Sequence, residues 1–226
     1  MNNGRLYVVP TPIGNLEDIT YRAVRVLAEA DFIIAEDTRK TLILLKHYSI
    51  RKPVESNHKF NEHGKAGSLA ERISAGARAA LVSDAGTPGI SDPGFLLISK
   101  CIEAGAEVEC LPGATAFVPA LVKSGLPCDR FCFEGFLPQK KGRMKRIAGL
   151  AEEERTMVFY ESPHRTLKCL EQFVEAFGAE RRASVSRELS KIHEETLNGT
   201  LAELAALFGT REARGEIVIV VAGKRE

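Results

Sequence analysis

The chain has 226 residues, 44% of them hydrophobic and 27% charged, with a formal net charge of +1. This is an ordinary globular composition, long enough for one large domain or two small lobes. The balanced charge excludes a uniformly basic nucleic-acid binder, so any RNA contact has to come from a local patch. Five cysteines (Cys101, Cys110, Cys128, Cys132 and Cys169) form no C-x-x-C pair and read as reduced cytosolic thiols, mostly core filler. The start, MNNGRLYVVP, runs straight into a strand without a signal-peptide pattern. No apolar run approaches membrane-spanning length, and a cytoplasmic location is expected.

Leu6–Val9 is a β-rich run ended by Pro10, and the turn-rich stretch 11–16 follows. Asp18 or Thr20 can cap a helix reaching about Ala30. Phe32–Ala35 is a buried strand that ends in the polar cluster 36–40. Leu42, Leu44, Leu45 and Tyr48 suggest the next helix. Arg51 to His63 lack periodicity and read as a mobile loop, with a helix around Lys65–Ser74 after it. Ala79–Val82 is a strand, Phe95–Ile98 opens a helix closed before Gly105, and Val108–Leu111 is a strand. The turn 112–116 opens a helix through about Ser124. Four strand–helix units in the first 124 residues predict an α/β lobe with a parallel sheet. Gly125-Leu126-Pro127 reads as a hinge, which gives the expected domains 1–124 and 125–226.

The second half alternates less regularly. Strands are expected at Phe131–Phe136, Met157–Tyr160, Ala183–Ser186 and Ile217–Val221, the last as a buried central strand. A basic run, Lys140–Arg146, opens a helix. Ser162-Pro163 supplies an N-cap and first helical residue, and Leu167, Leu170, Phe173, Val174 and Phe177 form an apolar stripe ended by Gly178. Thr200–Glu203 is a capping box.

The stretch SDAGTPGISDPG, residues 83–94, is longer than the roughly 2–6 residues that a strand–helix connection needs. Its three glycines let a ligand approach the backbone, and its prolines fix its course. Similar polar or glycine-rich clusters occur at 11–15, 36–40, 112–116, 161–165 and 187–191. Parallel strands would gather them at one rim, making a cleft lined by two lobes. No G-x-x-x-x-G-K-[ST], G-x-G-x-x-G, H-E-x-x-H or G-x-S-x-G occurs, which argues against a standard nucleotide triphosphatase, a dinucleotide oxidoreductase, a metal centre and a serine hydrolase.

Together PTPIGNLEDIT, AEDTRKT, SDAGTPGISDPG, PGATA, FYESPHR and SRELSKIHEE resemble the ribosomal small-subunit RNA methyltransferase I family, over about Leu6 to Ala222. The resemblance implies two α/β lobes of the tetrapyrrole methylase type, S-adenosylmethionine in the cleft between them, and a homodimer. It implies a ribose 2′-O-methyl transfer to a cytidine in the decoding region of 16S rRNA, free or in the assembled small subunit. By position, Pro12, Gly86, Thr87, Pro88, Ile90, Ala114, Thr115 and Ala116 match cofactor-holding parts of that fold. Asp84 stands in the same loop, and Tyr160 matches a further cofactor wall. The first loop has one glycine where tetrapyrrole enzymes carry G-x-G-x-G, which favours RNA over a porphyrin precursor. The chain ends at Glu226, directly after its last strand, where longer family members have another C-terminal segment.

Such a transfer is an in-line displacement at the methyl carbon, driven by positioning and helped by a base or a cation. Glu36, Asp37, Asp84, Glu161, Glu188 and Lys191 are candidates at the rim. Glu188 is favoured as base, with Arg187 and Lys191 steering the phosphate backbone. A structural Arg187–Glu188 ion pair is the alternative. Arg39 and Lys40 are expected phosphate ligands from the first lobe. Lys140, Lys141 and Arg143 are expected RNA contacts from the basic run. A tetrapyrrole methylase and a non-catalytic ribosome assembly factor remain as other readings.

Overall fold

A computed structural model describes residues 4–58 and 62–224. Two compact units divide the chain, one ending at Thr115 and the other beginning at Ala116. In the first, β1 (Arg5–Val8), β2 (Phe32–Ala35), β3 (Val54–Ser56), β4 (Arg78–Val82) and β5 (Glu107–Cys110) form a parallel sheet in the order β3-β2-β4-β1-β5. Helices cover both faces. Phe32, Ile34, Leu6 and Leu81 pack with Leu69 and Ile73 of α3 (Glu62–Ser74) and Leu97 of α4 (Phe95–Glu103). On the other face, Ile33, Ala35, Ala80 and Val82 pack with Val26 and Leu27 of α1 (Tyr21–Glu29) and Leu45 of α2 (Thr38–His47). Burial on both faces is why β2 and β4 read as unbroken apolar runs. Each buried Leu, Ile, Val or Phe among them contributes about 1.5–3 kcal/mol.

Thr20 is the residue that caps α1, accepting from the Ala23 N–H. Asp37 caps α2, accepting from the Arg39 N–H. The expected loop 51–63 is different in the structure, since Val54–Ser56 pairs with β2 and α3 begins at Glu62. Three half-buried residues at a sheet edge are too few to show a period of two. Lys59 to Asn61 lie outside the described residues.

The second unit holds β6 (Phe131–Phe136), β7 (Thr156–Glu161), β8 (Arg182–Arg187), β9 (Glu195–Thr200) and β10 (Ile217–Val221). Their order is β6-β7-β10-β8-β9. Only β6 and β7 run parallel; the other neighbours are antiparallel. One face buries Met157, Phe159, Val185, Ile219 and Val221 against Ile147 of α6 (Arg143–Ala148), Leu170 and Phe173 of α7 (Thr166–Phe177), and Leu204 of α8 (Leu201–Thr210). The Thr200–Glu203 capping box opens α8.

Against the opposite face lies α5 (Phe117–Lys123), in contact with β7 and β10. This packing puts α5 in the second unit, so the division falls before Ala116, and Gly125-Leu126-Pro127 lies inside that unit. The half-buried strand β9 is not among the strands expected from the sequence. Of the cysteines, only Cys101 and Cys169 are buried; Cys110 and Cys128 are exposed and fill no core. Among the described residues, no helix is long and apolar enough to cross a membrane.

Candidate functional site

All five strands of the first sheet end at one rim, and three of the loops there are tied through the backbone. Thr11 and Gly86 exchange two hydrogen bonds, each 2.9 Å, joining the loop after β1 to the loop after β4. The Thr11 hydroxyl donates to the Ser83 carbonyl at 3.1 Å, and the Thr87 hydroxyl donates to the Ala114 carbonyl at 3.1 Å. Gly86 takes φ +86°, a conformation glycine adopts without strain. At Gly113 the requirement is space, since a Cβ there would stand 2.6 Å from Pro10 Cβ. Pro12 and Pro88 are buried within the rim, Ala114 and Thr115 are half-buried, and Ile90 is exposed.

The charged residues of this rim are largely paired with each other. Asp84 accepts from the Asp37 N–H at 3.1 Å and from Lys40 Nζ at 2.7 Å. Arg39 grips the Asp37 carboxylate through Nε and Nη2, at 3.0 and 2.7 Å. The side-chain and backbone hydrogen bonds from Arg39 hold the Asp37 carboxyl down at about 2. The Asp84 hydrogen bond raises the Lys40 ammonium above its ordinary value. Burial, with Asp92 and Asp84 nearby, pushes the Glu36 carboxyl up.

The second unit has its own rim, where β6, β7 and β8 end and β10 begins. Ile217 pairs with both Glu161 and Arg187, and Arg187 with Glu195, so these four residues form one row on one face. Glu161 is buried. Its carboxylate accepts from Arg143 Nη2 at 2.7 Å, Arg165 Nε at 2.9 Å and the Ser162 N–H at 2.7 Å. Arg143 also donates to Gln172 at 2.7 Å and is only 5% exposed. The expected RNA contact at Arg143 is therefore corrected: a guanidinium anchored between α6, α7 and β7 faces the interior. Arg146, in the same run, is bound to Glu134 at 2.6 Å. Lys140 and Lys141 are exposed.

At the end of β8, Glu188 takes φ +50°. Its Oε1 accepts from the Glu216 N–H at 3.0 Å and from Lys191 Nζ at 2.9 Å. These two bonds, the backbone one first, hold the Glu188 carboxyl below its usual range. Burial alone would lower the Lys191 ammonium, but the Glu188 hydrogen bond and the Glu216 carboxylate outweigh it and keep its affinity for the proton raised. Arg187 donates to the carbonyls of Arg214 and His193, at 3.2 and 2.6 Å, rather than to Glu188. The expected alternative of an Arg187–Glu188 ion pair is replaced by the Glu188–Lys191 pair. Tyr160, half-buried, contacts the rings of Phe133 and Phe136. Ala116 precedes α5 as its N-cap residue.

The model of the tetrapyrrole (corrin/porphyrin) methylases matches residues 5–205. A ribosomal RNA small subunit methyltransferase I from Pasteurella multocida is 49% identical over 99% of this chain and 82% of its own length. One from Thermotoga maritima is 43% identical over 98% of this chain and 99% of its own. The chain belongs to the ribosomal RNA small subunit methyltransferase I family. Solved structures share its fold at low identity. Uroporphyrin-III C-methyltransferase from Thermus thermophilus, complexed with S-adenosyl homocysteine, has a TM-score of 0.68 at 20% identity over 97% of both chains. Diphthine synthase has a TM-score of 0.70 at 15% identity, covering 96% of this chain and 90% of its own.

Within this methyltransferase I chain, Thr11, Gly113 and Arg165 fall inside the clusters 11–15, 112–116 and 161–165 expected at the rim but are not singled out there, and Gln172 and Glu216 fall outside every expected cluster. Arg165 and Thr11 stand inside quoted motifs, FYESPHR and PTPIGN, so their neighbourhood was visible. Gln172 and Glu216 carry no local signal, because their partners Arg143 and Lys191 reach them only through the fold.

Proposed function

We propose that the chain transfers the methyl group of S-adenosylmethionine to the ribose 2′-hydroxyl of a cytidine in the decoding region of small-subunit ribosomal RNA. The observation that carries this reading is the 43–50% identity, over nearly the whole chain, to relatives named ribosomal RNA small subunit methyltransferase I. The first rim fits such a donor. Its loops bring backbone close where Gly113 leaves no room for a side chain and Gly86 holds a positive φ, and the carboxylates Glu36 and Asp84 suit a cationic ligand bearing hydroxyls. Pro12, Asp84, Gly86, Thr87, Pro88, Ile90, Ala114 and Thr115 are the proposed donor-binding residues. When bound, the donor supplies an electrophilic methyl group on a sulfonium.

The chain's own work is to orient the ribose and handle its proton. Lys191, kept charged by Glu188 and Glu216, is the proposed cation beside the developing alkoxide. Glu188 is the base expected from the sequence; with its carboxyl held below its usual range by the Glu216 N–H and Lys191 it accepts a proton less readily, and its proposed role is chiefly to fix that ammonium. Arg187, with its guanidinium anchored on two carbonyls, and the exposed Lys140 and Lys141 steer the RNA backbone. The chain is proposed to work in the cytoplasm, where ribosomal subunits mature. It is proposed to be a homodimer; the exposed Val118 and Val122, one turn apart on α5, support a covered apolar face.

Labelled S-adenosylmethionine and small subunits lacking the mark provide the test. Label on a ribose oxygen is expected, whereas label only on a porphyrinoid, or none at all, overturns the reading. Glu188→Gln and Lys191→Ala should lower turnover at least tenfold and change donor affinity less than twofold. Normal turnover in both removes them from the mechanism.

A further inference from the structure

The Glu161 carboxylate, 1% exposed, is shared by two guanidiniums. One negative charge against two positive ones leaves an excess positive charge at the end of β7. Each nitrogen of Arg143 has a partner: Nε donates to Gln172, Nη1 to the Pro138 carbonyl and Nη2 to Glu161, and its side chain is 6% exposed. In Arg165 only Nε is engaged, at 2.9 Å from Glu161. Its two terminal nitrogens have no hydrogen-bond partner among the described residues, and the side chain is 32% exposed. The excess charge therefore sits on a guanidinium held from behind, with its outward N–H groups free.

The register adds a second charge. Glu161 and Arg187 flank Ile217 on the same face, roughly 10 Å apart at two strand spacings. Arg187 rests on carbonyls and makes no ion pair among the described residues. Arg165, which shares Glu161 with Arg143, and Arg187, which has no carboxylate partner among the described residues, thus line one end of the sheet. An anion with two oxygens in one plane fits such a fork bidentately, where an ammonium would offer a point charge.

We propose that Arg165, oriented by Glu161, receives a phosphodiester of the RNA substrate and forms with Arg187 a two-point grip on its backbone. The assignment rests on the reading of the chain as an RNA methyltransferase. The donor's own carboxylate shares the chemistry of a phosphodiester, so the experiment separates the two. Arg165→Met keeps most of the stem and removes the charge; Arg165→Lys keeps the charge and removes the fork.

Methyl transfer to unmarked small subunits is measured across salt concentrations, and S-adenosylmethionine affinity by calorimetry. Arg165→Met should raise the KM for subunits about tenfold, reduce the salt slope by about one, and leave donor affinity within twofold. Arg165→Lys should restore the slope and only part of the KM. Unchanged KM and slope in both variants would leave Arg165 as a structural partner of Glu161 and overturn the proposal. So would weakened donor affinity with an unchanged slope, which assigns the anion to the donor. If Arg165→Met fails to fold, the Arg165→Lys result decides: a KM equal to wild type refutes the fork. Failure of the wild-type protein to label subunits would instead refute the functional reading beneath it.

Discussion

Replacing Glu161 by Gln keeps the shape of the side chain and removes the one negative charge facing two arginines. Arg143 is the side chain that suffers, because it is 6% exposed and cannot turn to water. Breaking a buried ion pair from one side costs about 3–5 kcal/mol, since the remaining charge is left desolvated and unmatched. That is a large part of the about 5–15 kcal/mol that holds a domain folded. At about 2.1 cal/mol/K per residue, over the roughly 110 residues of the second unit, the midpoint should fall by about 15 °C if that unit melts by itself, and by about half that if both units melt together.

The chain has no tryptophan, so circular dichroism in urea and on heating is the suitable assay. The double variant Arg143→Met with Glu161→Leu should recover most of the loss, because an apolar pair of similar volume restores packing without stranding a charge. A loss below about 1 kcal/mol in Glu161→Gln, or a double variant no better than the single one, would refute the account of Arg143 as a buried charge that depends on Glu161.

Two further outcomes follow from the first rim. Asp37 should titrate at about 2 by NMR, below the ordinary carboxylate value of about 3.9. Its folded-state value is depressed, so its help to the α2 cap is complete above about pH 4 and is lost as pH falls through about 2. Arg39→Ala should move that midpoint upward, and an unmoved midpoint would refute the assigned cause. Gly113→Ala would put a Cβ 2.6 Å from Pro10. Forcing the loops after β1 and β5 apart should cost about 1–3 kcal/mol and weaken S-adenosyl homocysteine binding about tenfold by calorimetry; affinity within twofold of wild type would show that this close approach is unimportant.

Strands dense in apolar or aromatic residues were legible in the sequence. Phe131–Phe136 and Ile217–Val221 are observed at the expected bounds, the latter with every residue buried at the centre of its sheet. Helix ends marked by chemistry were legible too: Thr20, the Thr200–Glu203 box and Gly178 all act locally. What escaped was decided by partners far along the chain. Val54–Ser56 is a strand because Ile33 to Ala35 lie beside it. Arg143 is expected from the sequence as one more RNA-contacting cation of the basic run, and it is buried because Glu161 and Gln172 come from β7 and α7 to meet it. A basic run is a pattern of charge along the chain, whereas an RNA footprint depends on which of those charges the fold has already spent.

The two rims are built by different physics, and this divides the substitutions they tolerate. In the first, the contacts that set loop shape end on the main chain: the paired hydrogen bonds of Thr11 and Gly86, and the threonine hydroxyls that donate to the carbonyls of Ser83 and Ala114. The main-chain pair is open to any residue that can adopt the backbone, so side-chain changes act here through the two threonine hydroxyls, the positive φ of Gly86 and the close approach at Gly113. In the second, Glu161, Glu188 and Glu216 hold Arg143, Arg165 and Lys191 by charge. There, a single carboxylate-to-amide change alters the charge of the rim while hardly altering its shape. Under the proposed assignment of the donor to the first rim and the RNA to the second, the two requirements rest on separate foundations: loop shape for a small donor held closely, and cations fixed by carboxylates for a polyanion held reversibly.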